Sequence, residues 1–222
     1  MTAFEALVGE RRSIRRFLDR PVSWELLERL FLAARRAPSG ANLQPGQFIL
    51  LRGEARRRLS EALADAYRAG AVEPEDYSYF PQPMPLILKK RQVAAAKALQ
   101  EALGLQREDR AGRDAQFERN FHFFDAPVAM VATMDSRLGT GCYMDFGMCL
   151  YGLMLAATAE GLGTCAIGAL ASYPSLIRRE LDLSGNQHIV CGLALGWPDD
   201  AAPENKVHTE RLGVADFVSL RE

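Results

Sequence analysis

The longest apolar stretch of the chain runs over residues 142–170, and its first part has the length of a helix. Every residue from 146 to 157 is apolar or glycine. A helix at a protein surface keeps a polar stripe, so a helix that is apolar all round has to be covered on every side. A membrane span takes roughly 20 apolar residues, more than this unbroken run contains. The pattern therefore predicts a helix buried in protein, and its length indicates that a second chain completes the cover.

The rest of the chain alternates between short apolar runs and longer amphipathic segments. A capping box at Thr2 and Glu5 starts the first predicted helix, and Ser23 caps the second. Runs typical of covered strands occupy residues 47–52, 127–134 and 188–195, and a further strand begins at Gly163. Helices are predicted over residues 2–12, 24–36, 54–67, 89–103, 109–121 and 172–181. This irregular alternation favours an α+β or a mixed α/β fold.

Residues 71–121 differ in character from the sequence on either side. Four prolines and three aromatic residues between positions 71 and 86 predict an extended surface loop, which two helices follow. This insertion is too small to form a second domain, so we expect one domain over residues 1–222. Six aromatic residues in this insertion and just after it could line a pocket for a flat aromatic molecule, or could simply pack in the core. They are Tyr77, Tyr79, Phe80, Phe121, Phe123 and Phe124.

Composition and charge narrow the classes of function. With 27 basic and 28 acidic residues the net charge is −1, so the bulk electrostatic attraction typical of nucleic-acid binders is absent. Four cysteines without C-x-x-C spacing predict free, buried thiols in a reducing cytoplasm. Three scattered histidines give no metal-ligand spacing, and the N-terminal residues lack the pattern of a secretion signal. The expectation is a cytoplasmic protein with no metal, no membrane span and no nucleic-acid partner.

A cluster of arginines lies at the end of the first predicted helix. Arg11, Arg12, Arg15 and Arg16 surround Ser13, so four guanidinium groups and a hydroxyl fall within six residues. Arginine binds phosphate as a planar fork, which makes the cluster a candidate phosphate clamp. The alternative is a solvated basic helix end, where arginine also suits the helix dipole.

Two further segments carry glycine or small polar residues. Residues 161–166 match the letters of the dinucleotide fingerprint, but they follow a helix and open an apolar segment, whereas the fingerprint follows a strand and opens a helix. A left-handed helix cap at Gly161 and a strand start at Gly163 explain them better. Residues 38–45 suit hydrogen bonds to the edge of a heterocycle, or form an ordinary helix-to-strand connection. No serine has a G-x-S-x-G setting, so hydrolase chemistry is not predicted.

Each of these signals is weak alone, but their order along the chain resembles the FMN-dependent nitroreductase family. The resemblance covers nearly the whole chain. The segments that carry it are 11–17 (RRSIRRF), 37–45 (APSGANLQP), 161–165 (GLGTC) and 195–198 (LGWP), together with Asn205 and Arg211. Residues 121–127 and 202–205 look closest to the branch that acts on nitrobenzoate-like nitroaromatics.

The resemblance implies a nitroreductase-like α+β fold, with a central, mainly antiparallel sheet flanked by helices. It implies an intertwined homodimer with two FMN sites at the subunit interface, and an insertion that covers the active site. NADH or NADPH would reduce the flavin, and a nitroaromatic or quinone would then reoxidise it in a ping-pong cycle. The protein itself then supplies position and electrostatics rather than an acid, base or nucleophile. The alternatives are other flavin chemistry (quinone or flavin reductase, reductive dehalogenase, heterocycle oxidase), a non-catalytic flavin-binding protein, or a nucleic-acid binder.

The resemblance also assigns roles to residues. Arg11, Arg12, Ser13 and Arg211 would hold the FMN phosphate and ribityl chain, and Arg15 would lie near the flavin pyrimidine. Loop residues would reach the flavin from the other subunit, and three backbone groups would lie beside N5. The loop residues are Pro38, Ser39, Asn42 and Gln44, and the backbone groups are those of Ile167, Gly168 and Ala169.

Two positions depart from the family pattern. His208 stands where many relatives have arginine or lysine, and as a neutral group it would contribute less to phosphate binding. Gly46 stands where family members often carry an aromatic residue. Separately, residues 89–119 hold eight basic and five acidic residues, from which we hypothesise a mildly cationic rim that favours anionic substrates.

Overall fold

The computed structural model describes all residues from 1 to 222. Its centre is a sheet of four strands in the order β1-β2-β4-β3, in which every neighbouring pair is antiparallel. This arrangement confirms the predicted α+β class and the predicted antiparallel sheet. The strands are β1 (Gln47–Leu51), β2 (Val128–Asp135), β3 (Gly163–Ile167) and β4 (Gln187–Gly196).

Helices cover both faces of the sheet. Alternate residues of β2 point to opposite faces, so Ala129 and Val131 pack with α3 and α7, while Val128 and Met130 pack with α2 and α6. The helices are α1 (Ala3–Glu10), α2 (Trp24–Ala34), α3 (Gly53–Arg68), α4 (Leu86–Ala102), α5 (Arg110–Glu118), α6 (Thr140–Ala159), α7 (Pro174–Glu180) and α8 (Val214–Phe217).

Local sequence signals set most helix boundaries. Thr2 and Glu5 form the predicted capping box, and the Ser23 hydroxyl accepts from the backbone N–H of Leu26. Most boundaries lie within two residues of the prediction, and two differ from it by three. Helix α4 begins at Leu86, directly after Pro85, rather than at 89. Helix α5 ends at Glu118 rather than at 121, because the chain then enters a turn in which residues 123–125 all have positive φ.

The glycine-rich exit from α6 has the predicted form. Gly161 has φ +73°, and the N–H groups of Gly161 and Leu162 bond back to the carbonyls of Thr158 (3.0 Å) and Ala157 (2.8 Å). This is a left-handed C-terminal cap, and β3 starts at Gly163. The segment is a turn into the sheet and not a phosphate cradle.

Helix α6 is covered on one side only within a single chain. Phe146 and Leu153 are buried, whereas Met144, Met148 and Tyr151 are 67, 38 and 40 % exposed. These three positions share one face of the helix, since residues three and four apart are neighbours. By length and composition α6 alone among the helices could cross a membrane, a property that core helices of soluble proteins share. The complete cover that the sequence predicts is therefore absent from the isolated subunit.

Candidate cofactor site

The arginine-rich segment, residues 11–16, leaves α1 and runs alongside β3. The Ile14 N–H donates to the Thr164 carbonyl oxygen (2.9 Å), and Ser13 pairs with Thr164 in a parallel bridge. Ile14 is buried against Gly163, where an added Cβ would lie 2.5 Å from Ile14 Cγ1. The glycine therefore permits the close approach that holds the segment on the sheet.

Six of the residues predicted to bind FMN line one cavity of about 370 Å³, which we call the arginine cavity. No acidic side chain lines it. The Arg11 guanidinium has no hydrogen-bond partner, and that of Arg15 reaches only the Ser13 carbonyl oxygen (3.3 Å). Guanidinium groups without acidic partners suit a bound anion such as phosphate. The six predicted residues are Arg11, Arg12, Ser13, Arg15, His208 and Arg211.

The arginine cavity also contains residues that sequence reasoning missed. Tyr151, on the exposed face of α6, and Thr209, beside Arg211, both line it. The Arg211 guanidinium bonds to Thr209 Oγ1 (2.7 Å) and to nearby backbone carbonyls. Neither Tyr151 nor Thr209 lies in a motif, so no local signal marks them.

A buried asparagine fixes the backbone of the arginine-rich segment. Asn205 is 1 % exposed, and its Oδ1 accepts from the N–H groups of Arg15 (2.8 Å) and Arg16 (3.2 Å). Its Nδ2 donates to the carbonyls of Arg16 (2.7 Å) and Asp199 (2.9 Å). Its own carbonyl accepts from Arg12 Nε (2.6 Å). The family resemblance marks Asn205 as a motif residue, but only the tertiary structure shows that its side chain positions the arginine-rich segment.

The neighbouring carboxylate, Glu204, connects the insertion to the same segment. It is buried and accepts from Arg16 Nε (3.2 Å) and Arg119 Nη1 (3.1 Å). Arg119 Nη2 in turn donates to the Arg15 carbonyl (2.7 Å). Burial alone would raise the pKa of Glu204, but a backbone hydrogen bond and the two guanidinium groups outweigh burial, so the pKa lies below its ordinary 4.5.

The predicted loop residues lie away from the arginine cavity within one chain. Pro38, Ser39 and Gln44 line a second, larger groove of about 530 Å³ between α2, β1 and α6, and Asn42 lies outside its lining. One subunit therefore does not bring the two predicted groups together.

The loop itself has an unusual backbone. Ala41, Asn42 and Gln44 all have positive φ, between 49° and 57°, a conformation that is costly for residues other than glycine. The buried Asp145 carboxylate anchors the loop to α6 by accepting from the Gly40 N–H (2.9 Å).

A side chain of α6 takes the space beside Gly46, the residue that the resemblance set apart. A Cβ at Gly46 would lie 2.4 Å from Phe146 Cδ2, and φ at this residue is +91°. The aromatic ring of Phe146 thus packs against the loop at this point.

The backbone of residues 167–169 forms the turn at the end of β3, and the insertion packs on it. An added Cβ at Gly168 would lie 2.9 Å from the Tyr79 ring. The loop over residues 71–85 has no regular structure, as predicted, but it is tied down. Asp76 accepts from the Ile189 N–H (2.8 Å) and Arg178 Nη1 (2.7 Å), and the Tyr77 hydroxyl donates to the Val190 carbonyl (2.6 Å).

The sequence left two roles open for the aromatic residues in and after the insertion: core packing and pocket lining. The structure shows examples of both. Phe121 and Phe123 are buried in the core beside α3 and α7. Phe124 is also buried, but its ring borders a small cavity that Arg15 shares. Burial raises the pKa of Tyr77 and of Tyr79, so both phenols are neutral at physiological pH.

All four cysteines are free thiols, as predicted, but only Cys165 and Cys191 are buried, and the predicted burial of Cys142 and Cys149 is wrong because both lie on the partly exposed helix α6. Burial raises the pKa of Cys191 to about 12. Burial also raises the pKa of Cys165, although Arg15, Ser13 and Arg11 act in the opposite direction. Neither thiol is a reactive nucleophile at neutral pH, because the thiolate is the reactive form.

An antiparallel α+β domain with an arginine cavity beside its sheet, lined by no acidic residue, suits a phosphorylated ligand. Comparison with known proteins identifies the family. The sequence profile of the nitroreductase family matches residues 8–197, and the chain belongs to this family.

Named relatives and solved structures are similar to this chain over nearly its full length. A nitrobenzene nitroreductase of Ectopseudomonas oleovorans is 38 % identical over 215 residues, which cover 96 % of this chain and 95 % of the relative. A 4-nitrobenzoate reductase of Pseudomonas putida is 35 % identical, covering 94 % and 91 %. The FMN and NADPH-dependent nitroreductase NfnB from Sphigopyxis sp. strain HMH is 35 % identical with a TM-score of 0.95, and each chain is covered completely.

A second NfnB structure, from Mycobacterium smegmatis in complex with NADPH, is 29 % identical with a TM-score of 0.92, covering 99 % and 98 % of the two chains. The comparisons confirm the predicted family and fold class. They also confirm the predicted class of enzyme, an FMN-dependent oxidoreductase that uses NAD(P)H.

Proposed function

We propose that this protein reduces nitroaromatic compounds with electrons from NADH or NADPH through FMN bound in the arginine cavity, and that quinones also serve as acceptors. The observation that carries the proposal is the cavity beside β3, which four arginines line and no acidic side chain lines. Relatives named for nitrobenzene and 4-nitrobenzoate support the substrate class. When bound, FMN supplies two-electron transfer in a ping-pong cycle.

The residues of the chain bind and orient the cofactor. Arg11, Arg12 and Arg211 hold the phosphate, and the Ser13 hydroxyl adds a hydrogen bond to the phosphate or ribityl chain. His208 adds a polar contact from the tail. Arg15 lies at the inner end of the segment, where its positive charge favours negative charge on the reduced ring. No side chain is needed as a nucleophile, which agrees with the raised pKa of the buried thiols.

We further propose that the active form is an intertwined homodimer. The exposed face of α6 is apolar, and Tyr151 on this face also lines the arginine cavity. A second subunit on α6 therefore lies next to the cofactor. The C-terminal tail exposes Val214, Phe217 and Leu220 at 76–80 %, which is consistent with burial on the partner.

In this dimer the loop around the larger groove contributes to the partner's site. Four residues of this loop do not line the arginine cavity of their own subunit: Pro38, Ser39, Asn42 and Gln44. Contact with the flavin of the other subunit explains their position. The backbone of residues 167–169 and the insertion at 71–121 then cover the reactive side of the flavin. We expect the protein to be cytoplasmic, with neither a membrane span nor a nucleic-acid partner.

The test is the absorption spectrum of the purified protein. We expect a yellow protein with flavin bands, loss of these bands on anaerobic addition of NADH or NADPH, and their return when nitrobenzene is added. A yellow protein that NAD(P)H does not bleach would indicate a flavin-binding protein without this turnover. A colourless protein that takes up no FMN would refute the proposal as a whole.

A further inference from the structure

A second, smaller cavity of about 150 Å³ lies between α4 and α5. Ala96 and Gln100 of α4 and Arg113 and Phe117 of α5 line it. Each pair is four residues apart and so shares one face of its helix. Arg15 and Phe124 also line this cavity. Arg15 lines the arginine cavity as well, so the two cavities are neighbours.

The cationic groups of this cavity have no acidic partner. The Arg113 guanidinium forms no hydrogen bond and no ion pair, and no acidic residue lines the cavity. The acidic groups nearby are engaged elsewhere. Asp109 caps α5 through the Gly112 N–H (2.8 Å), and Asp114 pairs with Arg110 (3.7 Å). Arg113 and Arg15 therefore line the cavity, and neither guanidinium group has an ion-pair partner.

The rest of the lining suits a flat apolar body. Leu99, Phe117 and Phe124 supply apolar and aromatic surface, and the Gln100 side-chain amide has no partner within the protein. Pockets for drug-sized ligands measure roughly 300–1,000 Å³, so this cavity suits a molecule with a single ring. It is too small for a dinucleotide.

We propose that this cavity binds a single-ring aromatic carboxylate, with Arg113 as the residue that pairs with the carboxylate. Given the proposed function, on which this step rests for turnover, the preferred substrate is a carboxylated nitroarene rather than a neutral one. A planar guanidinium binds a carboxylate through two parallel hydrogen bonds, which gives both charge and geometric selection.

The binding test uses benzoate and the neutral analogue benzamide, titrated calorimetrically into the protein as purified with its cofactor. We expect benzoate to bind about 10- to 100-fold more tightly than benzamide, the range for a charge-assisted hydrogen bond. Arg113→Gln should abolish this preference, and Arg113→Lys should retain part of it. Arg110→Gln, on the same helix but paired with Asp114, should bind both ligands like the wild type.

Kinetic measurements with two nitroarenes then test this inference separately from the proposed function. For the wild type, kcat/KM for 4-nitrobenzoate should exceed that for nitrobenzene, and Arg113→Gln should remove the difference through KM with unchanged flavin content. Equal binding of benzoate and benzamide, or a change in Arg113→Gln confined to the KM for NADPH, would overturn the carboxylate site. Benzoate selectivity without reduction of either nitroarene would leave the site standing and refute the proposed function.

Discussion

At the scale of single residues, the chemistry of this protein depends on which arginines have partners. Arg57 and Arg68 pair with glutamates on the surface, as arginines do on most proteins. Arg11 and Arg15 have no acidic partner, and buried hydrogen bonds to Asn205 hold the segment that carries them. The cavity is therefore organised for an anion before any anion binds.

Replacing Arg11 by alanine should weaken cofactor binding without weakening the fold. Its guanidinium forms no hydrogen bond and no ion pair within the protein, so the free energy of unfolding of the FMN-free protein should stay unchanged. The dissociation constant for FMN should rise about 10- to 100-fold, because a charge-assisted hydrogen bond to phosphate is lost. Fluorescence titration with FMN measures this. Arg107→Ala, at an exposed position outside the cavities, is the control, and normal FMN affinity in Arg11→Ala would contradict the phosphate role.

Glu204→Gln should destabilise the protein in a pH-dependent way. The folded pKa of Glu204 lies below 4.5, so its ionised form stabilises the fold above about pH 4.5, and this contribution disappears as the pH falls through the lower folded pKa. We expect the variant to lose about 1–3 kcal/mol of unfolding free energy at neutral pH. The loss should lie near the lower value, because Arg16 is half-exposed and solvent screens its ion pair with Glu204. Urea unfolding of both proteins at pH 7 and below pH 4 measures the difference.

Glu210→Gln, at an exposed position, provides the matched control and should behave like the wild type at both pH values. A constant difference between wild type and Glu204→Gln across this pH range would show that shape rather than charge makes Glu204 important.

At the scale of elements, the loop before β1 is shaped by α6. Its left-handed residues are held by the Asp145 contact to Gly40 and by the ring of Phe146 against Gly46. The capping box of α1, the Ser23 cap and the Gly161 turn all follow from local sequence. The loop conformation does not, because it depends on side chains about 100 positions further along the chain.

Gly46→Ala should therefore be more destabilising than a glycine replacement in open space. It combines positive φ with a contact of 2.4 Å to Phe146 Cδ2, and overpacking typically costs about 1–3 kcal/mol. Gly53→Ala is the matched control, since Gly53 also has positive φ but nothing lies within 4 Å of an added Cβ. Thermal unfolding should place Gly46→Ala clearly below Gly53→Ala, and equal melting temperatures would argue against the contact.

At the scale of the whole molecule, the isolated subunit leaves apolar surface uncovered. Three apolar features are exposed to solvent. They are the α6 face of Met144, Met148 and Tyr151, the larger groove, and the C-terminal tail. Large exposed apolar patches mark interaction sites. A second copy of the chain accounts for all three features at once.

A charge on the α6 face should dissociate the proposed dimer. Met148→Glu should shift the mass in solution from twice 24.6 kDa towards 24.6 kDa and should lower FMN content, because Tyr151 on the same face lines the arginine cavity. Light scattering after gel filtration measures the mass. Val93→Glu, on the exposed side of α4, controls for added charge and should stay dimeric with full flavin. A wild-type protein that is monomeric at micromolar concentration would refute the homodimer.

The sequence by itself determined the elements, the class of fold and the residues most suited to phosphate. These follow from hydrophobic periodicity, capping residues and motif order, which act over a few positions of the chain. Only the tertiary structure decided which charges remain unpaired, since Glu204 pairs with both Arg16 and Arg119 while Arg11, Arg15 and Arg113 form no ion pair. Pairing of this kind joins residues almost 200 positions apart, and no local pattern encodes it.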